Sequence, residues 1–286
     1  MKLIEIDHLT EYRFDQIIQL KPHQLILRPR DGFDQRVKAS TLTISPNAAL
    51  HWQRDASDNN VTIASFDQPT SRLKIHSHLI VEQYRAQTLT LDQLINKAQY
   101  SDLPIADSAI LTPFLATQLE MTQFPPELAC SLPVDAAPQE SFLALEHLCQ
   151  TIKTCFSYQI REAPGTQSAV ETMALQTGSC RDFAWFMMEL VRSQGYAARF
   201  LSGYFLHQNF KPDNGATHAW LEVWLPGFGW LGFDPTVGRP VGPEHIAVAS
   251  SMSPQAIPPI AGSFTGPPGT QSELIVNVQV RSVSSS

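Results

Sequence analysis

Apolar and polar residues alternate through the first third of the chain, a period that is typical of half-buried β-strands. The alternating segments are residues 3–6, 40–44 and 73–81. Clusters rich in Pro, Gly, Asp and Asn separate them, at residues 29–32, 45–47 and 58–60. Short strands punctuated by turn residues predict an all-β domain over residues 1–87, arranged as an antiparallel sandwich or barrel.

The middle of the chain, residues 88–139, lacks a sustained period. Residues 91–95 are typical of the start of a short helix, but prolines interrupt the pattern after them. These prolines are Pro104, Pro113, Pro125, Pro126, Pro133 and Pro138. Because proline removes a backbone donor and disfavours helix in the residue before it, we expect a linker or a wrapping segment here.

A helical period begins at Ser141, and strand-like runs follow it. One buried helix face is indicated by Phe142, Leu145, Leu148, Cys149, Ile152 and Phe156. A second, short helix is predicted over residues 169–177, and a third from Ser179 onward. The strand-like runs lie at residues 198–206, 218–225, 230–233 and 274–280. Helices that precede strands predict an α+β domain over residues 140–286.

Composition narrows the class of protein. Apolar residues make up 43% of the 286 residues and charged residues 16%, as in soluble globular proteins. The net charge of -7 argues against a nucleic-acid partner. The start of the chain lacks the basic and apolar run of a signal peptide, and no stretch approaches the about 20 apolar residues of a membrane span. We therefore expect a cytoplasmic protein with no membrane partner.

The four cysteines form no C-x-x-C pair, which argues against a zinc knuckle. We expect Cys130, Cys149 and Cys155 to be reduced, buried apolar side chains. Ser179 is typical of a helix N-cap and would place Cys180 in the first turn of the third helix. Amides and the helix dipole favour a thiolate there, and the backbone N–H of Cys180 is a candidate oxyanion donor. A buried cysteine that packs on the inner helix face is the alternative interpretation.

An imidazole and a carboxylate follow Cys180 in two strand-like runs. His218 opens the run 218–225, and Asp234 ends the next run just before Pro235. A thiol, an imidazole and a carboxylate are the three groups that thiol-based acyl transfer requires. Taken singly, the histidine also fits a structural role in a core, and the Asp-Pro pair also fits a turn.

Pairing the two runs as a hairpin does not by itself bring Asp234 to His218. A two-residue loop at residues 227–228 sets Asp234 opposite Leu221, on the face away from His218. A three-residue loop or a bulge pairs Asp234 with Glu222, roughly 13 Å from His218 along the strand. A bend, a bulge or another register is therefore required, and Glu222 stays an alternative partner that orients His218.

Four stretches together resemble the transglutaminase-like superfamily, whose fold is related to papain-type cysteine peptidases. They are residues 177–184 (TGSCRDFA), 195–204 (GYAARFLSGY), 218–223 (HAWLEV) and 229–236 (GWLGFDPT). The first 90 residues or so resemble the β-rich N-terminal domain of bacterial members, through residues 8–14 (HLTEYRF) and 24–30 (QLILRPR).

The resemblance implies both a fold and a set of roles. The fold is a papain/transglutaminase-like α+β core, with the helix that bears Cys180 packed on an antiparallel sheet, preceded by the all-β domain. The implied roles are nucleophile for Cys180, proton carrier for His218 and orienting carboxylate for Asp234, with the last two on adjacent strands. Tyr158 is the preferred candidate for a second oxyanion donor, ahead of Gln176 at the end of the preceding helix.

The predicted function is that of a cysteine-dependent amide hydrolase or acyl transferase. It would act on peptide or carboxamide bonds of a protein or peptide substrate through a thioester. Hydrolysis is favoured over cross-linking, because cross-linking needs a dedicated amine entry that the sequence does not reveal. The chemistry requires no metal and no organic cofactor. The alternatives are a non-catalytic protein- or peptide-binding module with the same fold, and a zinc site built from the three reactive residues.

Two further groupings need an interpretation. His76 and His78 share one strand face at a spacing that would allow a shared metal, although a solvated face is expected. Asp182 and Arg199 are expected to form a structural ion pair near the start of the third helix.

Overall fold

The computed structural model describes most of the chain. The described residues are 1–85, 87–88, 90–93, 108–118, 132, 137–161, 165–206 and 217–283. The strands before the helices are β1 (Lys2–Leu20), β2 (His23–Leu25), β3 (Gln35–Ser45), β4 (Ala49–Arg54), β5 (Asn60–Ser65) and β6 (Thr70–Gln83). The helices are α1 (Ser108–Leu111), α2 (Pro138–Cys155), α3 (Ala169–Leu175) and α4 (Cys180–Ser193), with 3-10 turns at Thr112–Leu115 and Pro254–Ala256.

The remaining strands include five longer ones, which build the sheet of the second half and the chain end, and several two-residue strands. They are β7 (Ser157–Tyr158), β8 (Thr177–Gly178), β9 (Ala198–Phe205), β10 (Thr217–Leu225), β11 (Gly229–Asp234), β12 (Arg239–Pro240), β13 (His245–Ser251), β14 (Ile260–Ala261), β15 (Phe264–Thr265) and β16 (Ser272–Val283).

The N-terminal half of the molecule, strands β1 to β6 together with the strands of the chain end, consists of two antiparallel sheets. This confirms the predicted all-β domain. One sheet has the order β15-β1-β6-β3 with β16 on β1, and the other has the order β14-β2-β5-β4. Alternation sets the register, since Ile4 pairs with Val81 and Ile6 with Leu79, and all four are fully buried. This inner face joins the same hydrophobic cluster as the helices of the second half, so the two halves share one core.

The chain end returns to the N-terminal sheets. Strand β16 pairs with β1 from Leu3–Val283 to Phe14–Ser272, while β14 pairs with β2 and β15 with the end of β1. The expected boundary of a catalytic domain at residues 140–286 is therefore corrected, since the last strands pair with the N-terminal sheets. This pairing covers an edge of the long β1 that would otherwise be unpaired. The expected linker, residues 88–139, lies largely outside the described residues, as do Leu94 and Ile95 of its expected short helix.

The second half packs helices against one antiparallel sheet with the order β12-β11-β10-β9-β13. Helix α2 buries the predicted face, and α4 is enclosed almost all round. This arrangement confirms the predicted α+β fold, with the cysteine-bearing helix on an antiparallel sheet. In the described part of the chain, no helix is both long enough and apolar enough to cross a membrane.

Side chains of the N-terminal half cover the outer edge of β13. The amide of Gln83 donates to the carbonyl of His245 at 3.0 Å. Asn59 pairs with Ser250 through two bonds of 2.9 Å, donating to its carbonyl and accepting from its N–H. Because an open strand edge would leave backbone groups unsatisfied, these amides take the place of a sixth strand.

Candidate active site

Cys180 is the first residue of α4, and Ser179 is its N-cap, as predicted. The carboxylate of Asp182 accepts the backbone N–H of Ser179 at 2.8 Å and its hydroxyl at 2.7 Å. These bonds fix the helix start, so the Cys180 side chain, half-buried, stands where unpaired amides and the helix dipole favour negative charge.

Asp182 has a different cationic partner from the one expected. Nε of Arg161 donates to its carboxylate at 2.9 Å, and the backbone N–H of Gln167 donates at 2.8 Å. Arg199 instead donates through Nε to Glu222 at 2.7 Å. The expected pair of Asp182 with Arg199 is therefore wrong, because the cation that reaches the helix start comes from the segment before α3.

Tyr158 is brought beside Cys180 by a short parallel pairing of β7 with β8, in which Tyr158 lies opposite Gly178. Although Tyr158 is 45% exposed as a residue, partial desolvation of its hydroxyl raises its pKa to about 12, and negative charge at Cys180 and then Asp182 adds to the effect. The hydroxyl therefore keeps its proton at neutral pH. Gln176 ends α3 in a left-handed conformation with φ of 50°.

The hairpin of β10 and β11 closes through a three-residue loop, residues 226–228, flanked by Leu225 and Gly229. Gly227 and Gly229 have φ of 77° and 78°, a left-handed region that favours glycine. Glycine fits both positions because it lacks a Cβ. The loop in turn fixes the register of the two strands.

That register brings His218 and Asp234 to one face. Leu221 pairs with Phe233, so Asp234 is set opposite Trp220. His218 is two residues from Trp220 on the same face, and a diagonal neighbour at this offset is within reach of long side chains. The expected registers, with Leu221 or Glu222 opposite Asp234, are wrong, because the three-residue loop lies at residues 226–228 and sets Trp220, not Glu222, opposite Asp234. No bend is required.

Asp234 lies at the centre of the hydrogen-bond network of the site and has no exposed surface. Its Oδ2 accepts from Nε2 of His218 at 2.7 Å, and its Oδ1 accepts the N–H of Thr236 at 2.8 Å and of Val237 at 3.2 Å. Burial alone would raise the pKa of this carboxyl. The charge and hydrogen bond of His218, followed by those of His245, hold it well below its ordinary value.

His218 links the carboxylate to the thiol. Burial alone would lower its pKa, but the charge and hydrogen bond of Asp234, and then a hydrogen bond with Cys180, raise it to about 10. Since Nε2 of His218 is bound to Asp234, Nδ1 is the nitrogen left for the thiol. The three side chains thus form a chain from Cys180 through His218 to Asp234, with an imidazolium favoured at neutral pH.

Glu222, the alternative orienting residue, is bound by Arg199 and not by His218. Both Nε and Nη2 of Arg199 approach Glu222 Oε2, at 2.7 Å and 2.6 Å, and the guanidinium lies 4.4 Å from the ring centre of Trp230. Asp234 therefore holds the orienting position, and Glu222 belongs to a separate ion pair on the sheet.

Sequence reasoning missed one residue of the site, His245. Its Nε2 lies 2.9 Å from Oδ2 of Asp234, the same oxygen that binds His218. The available signal was a histidine at the start of the apolar run 246–249, just as His218 starts its own run. That run was not assigned to a strand, so its place beside β9 was not foreseen.

Among the described residues, His218, Asp234 and His245 are the one group of three or more metal-ligating side chains found close together. The N–O separations of 2.7 Å and 2.9 Å are those of hydrogen bonds. Two ligands of one tetrahedral zinc lie roughly 3.3 Å apart, given Zn–N and Zn–O bonds near 2 Å. The present geometry therefore fits a shared proton network rather than a metal centre.

The other cysteines differ in burial. Cys149 is buried and free, as expected, whereas Cys155 is free but exposed at the end of α2. The expectation of a buried Cys155 is wrong, because it lies off the inner face that Cys149 shares with Ile152. Cys130 lies outside the described residues.

Comparison with known families agrees with this geometry. Residues 4–82 match the model of the bacterial transglutaminase-like N-terminal region. Residues 131–235, which include all three reactive side chains, match the transglutaminase-like superfamily. The chain is a bacterial transglutaminase-like protein.

Two bacterial proteins are similar to this transglutaminase-like chain. It is 29% identical to an uncharacterized protein of Mycobacterium tuberculosis, over 90% of this chain and 86% of that protein. It is also 26% identical to a protein-glutamine gamma-glutamyltransferase of Pseudomonas aeruginosa, over 76% of this chain but only 35% of the relative.

A solved structure shares the whole fold. A protein of Cytophaga hutchinsonii, provisionally classed as a cysteine protease, superposes with a TM-score of 0.70 at 17% identity. The match covers 100% of the present chain and 92% of the other. The transglutaminase-like core and the preceding β-rich half therefore occur together in that protein as well.

Proposed function

We propose that this protein is a cysteine-dependent amide hydrolase that cleaves peptide or carboxamide bonds of a protein or peptide substrate through a thioester. The observation that carries the proposal is the chain of contacts from the half-buried Cys180 through His218 to the fully buried Asp234. A thiol at a helix start, an imidazole and an orienting carboxylate are the parts that this reaction uses.

In the first step the thiolate of Cys180 attacks the amide carbonyl carbon and forms a carbon–sulfur bond. The carbonyl oxygen becomes an oxyanion, and the N–H of Cys180 and the protonated hydroxyl of Tyr158 are the proposed donors to it. The imidazolium of His218 then gives its proton to the amine as the carbon–nitrogen bond breaks. The products of this step are a free amine and a thioester on Cys180.

In the second step water replaces the amine. Neutral His218 takes a proton from water, the hydroxide formed attacks the thioester carbon, and the carbon–sulfur bond breaks to release a carboxylic acid. The proton taken from water stays on His218 and the sulfur leaves as a thiolate, so the starting thiolate and imidazolium are restored. The net reaction is amide plus water to acid plus amine.

Asp234 supports both steps because it stays ionised. Its charge holds His218 in the tautomer with the proton on Nε2, which leaves Nδ1 to exchange protons with the thiol and the substrate. Hydrolysis is proposed ahead of cross-linking because water needs no second binding site, whereas an acceptor amine does.

The test is to incubate the protein with unfolded casein in ¹⁸O-labelled water together with a biotinylated primary amine. We expect new peptide termini that carry one ¹⁸O in each new carboxylate, and none with Cys180→Ser. The matched control is Cys155→Ser, which removes an exposed cysteine and should leave the products unchanged.

Other products would revise the proposal. Biotin incorporation would indicate acyl transfer to amines, and conversion of glutamine to glutamate without cleavage would indicate deamidation. If no product forms and iodoacetamide labels Cys180 no faster than an ordinary thiol, the protein is a non-catalytic binding module with this fold.

A further inference from the structure

A second imidazole binds the catalytic carboxylate, although no step of the proposed reaction uses it. His245 lies at the start of β13, and its side chain has no exposed surface. Its Nε2 is 2.9 Å from Oδ2 of Asp234, and Nε2 of His218 is 2.7 Å from the same atom. One carboxylate oxygen therefore accepts from two imidazoles.

The hydrogen bonds of His245 define its tautomer. The backbone N–H of Gly242 donates to Nδ1 of His245 at 3.2 Å, so this nitrogen must be the acceptor. The proton is then on Nε2, where it is donated to Asp234. Burial lowers the pKa of His245, and the bond to Asp234 offsets part of this effect. His245 is thus a neutral donor, unlike His218.

The charged groups around His245 are few and paired. Besides Asp234 and His218, whose ring centre is 5.9 Å away, a carboxylate oxygen of Glu244 lies 3.7 Å from Nδ1. Glu244 is bound by Arg239, which partly neutralises it. Asp234 is therefore the strongest acceptor that His245 faces.

Aromatic rings isolate this network from water. The rings of Phe205 and Trp220 lie 4.7 Å and 5.1 Å from His245, and Phe205 also lies 4.9 Å from His218. Hydrogen bonds to a charged group are stronger where solvent is excluded. The orientation of Asp234 is therefore sensitive to each donor.

The backbone of His245 is held from the N-terminal half. Gln83, at the end of β6, donates to its carbonyl at 3.0 Å, and Gln35 donates to the carbonyl of Ala247 at 2.7 Å. Both glutamine side chains are buried. The β-rich half thus fixes the strand that supplies the second imidazole.

We propose that His245 is a positioning residue of the reaction, which holds the Asp234 carboxylate so that His218 keeps its Nδ1 toward Cys180. The proposal rests on the proposed function, because it assigns His245 to that same site. Donors on both oxygens prevent the carboxylate from rotating, and the proton from His245 helps to keep it ionised. At metal sites, residues that orient a ligand in this way typically change activity by about 10- to 100-fold, and we expect an effect of that order here.

The test compares His245→Gln with His245→Met, two side chains of similar length and volume. The glutamine amide can donate to Asp234 from near the position of imidazole Nε2, whereas methionine has no donor. Iodoacetamide labelling of Cys180 is followed against pH by peptide mass spectrometry, which separates it from exposed Cys155. We expect His245→Met to lower the labelling rate at about pH 6 by about tenfold or more, and His245→Gln to restore most of it.

Thermal unfolding of both variants shows whether they are folded. If the wild type labels rapidly at low pH and His245→Met does too, the positioning role of His245 is overturned while the proposed function stands. Equal losses in folded His245→Met and His245→Gln also overturn it, since a packing role would not depend on the donor. If the wild type itself lacks labelling at low pH, the proposed function fails, and the role of His245 fails with it.

Discussion

Two regions of the molecule pair a histidine with an aspartate at almost the same distance. In the second half, Nε2 of His218 is 2.7 Å from Asp234, and on the N-terminal sheet Nε2 of His76 is 2.8 Å from Asp7. Their surroundings differ, since the side chains are 12% and 0% exposed in the first pair and 38% and 40% exposed in the second.

Burial, rather than distance, distinguishes the pair of the candidate active site from the surface pair. Water screens the charges of His76 and Asp7, so the attraction between the two side chains is weak. His78 is 36% exposed and is bound at 2.9 Å to Glu5, so both histidines fit the solvated face expected for them. For His218 and Asp234, little water competes, and each fixes the charge and orientation of the other.

The largest expected effect comes from removing the buried charge. Asp234→Asn should lower turnover of the casein substrate by about 10³- to 10⁴-fold, because a neutral amide cannot hold the imidazolium of His218 in the required tautomer. The matched change on the surface pair, Asp7→Asn, should leave turnover unchanged. Product formation followed by mass spectrometry measures both, and near-normal turnover in Asp234→Asn would remove Asp234 from the mechanism.

The cysteine half of the site could be predicted from local sequence. Ser179 before an apolar helical pattern is enough to place Cys180 at a helix start, because capping and amphipathicity involve neighbours within a few residues. His218 was assigned to its strand for the same reason. The sheet alternation and the buried face of α2 were local patterns as well, and the structure has them.

The carboxylate half depended on contacts that no local pattern contains. A shift of one residue in the hairpin register moves Asp234 to the other face of the sheet, and residues 226–228 decide that register. His245 reaches Asp234 because β13 pairs with β9, about 45 residues earlier. The return of β16 to β1 is a pairing across almost the whole chain.

A smaller effect is expected in the pH dependence of stability. Folding raises the pKa of His218 to about 10, so its contribution is fully present below its ordinary pKa of 6.5 and is lost as the pH rises through about 10. The free energy of unfolding of the wild type should therefore exceed that of His218→Gln at neutral pH, and this gap should shrink toward pH 10. Urea unfolding at several pH values measures it.

His76→Gln is the control for that experiment. Its difference from the wild type should stay small at every pH, because an exposed pair gains little from folding. A gap for His218→Gln that stays constant from neutral pH to about pH 10 would indicate that the imidazolium contributes nothing to stability.

The smallest effect is expected on the surface pair itself. Replacing Asp7 with Asn, His76 with Gln, or both together, should change the free energy of unfolding by about 0.5 kcal/mol or less, since ordering two exposed side chains offsets most of their attraction. The double variant isolates their interaction from their separate effects. A coupling well above about 1 kcal/mol would mean that the N-terminal sheet shields this pair from water, so that burial would no longer separate it from His218 and Asp234.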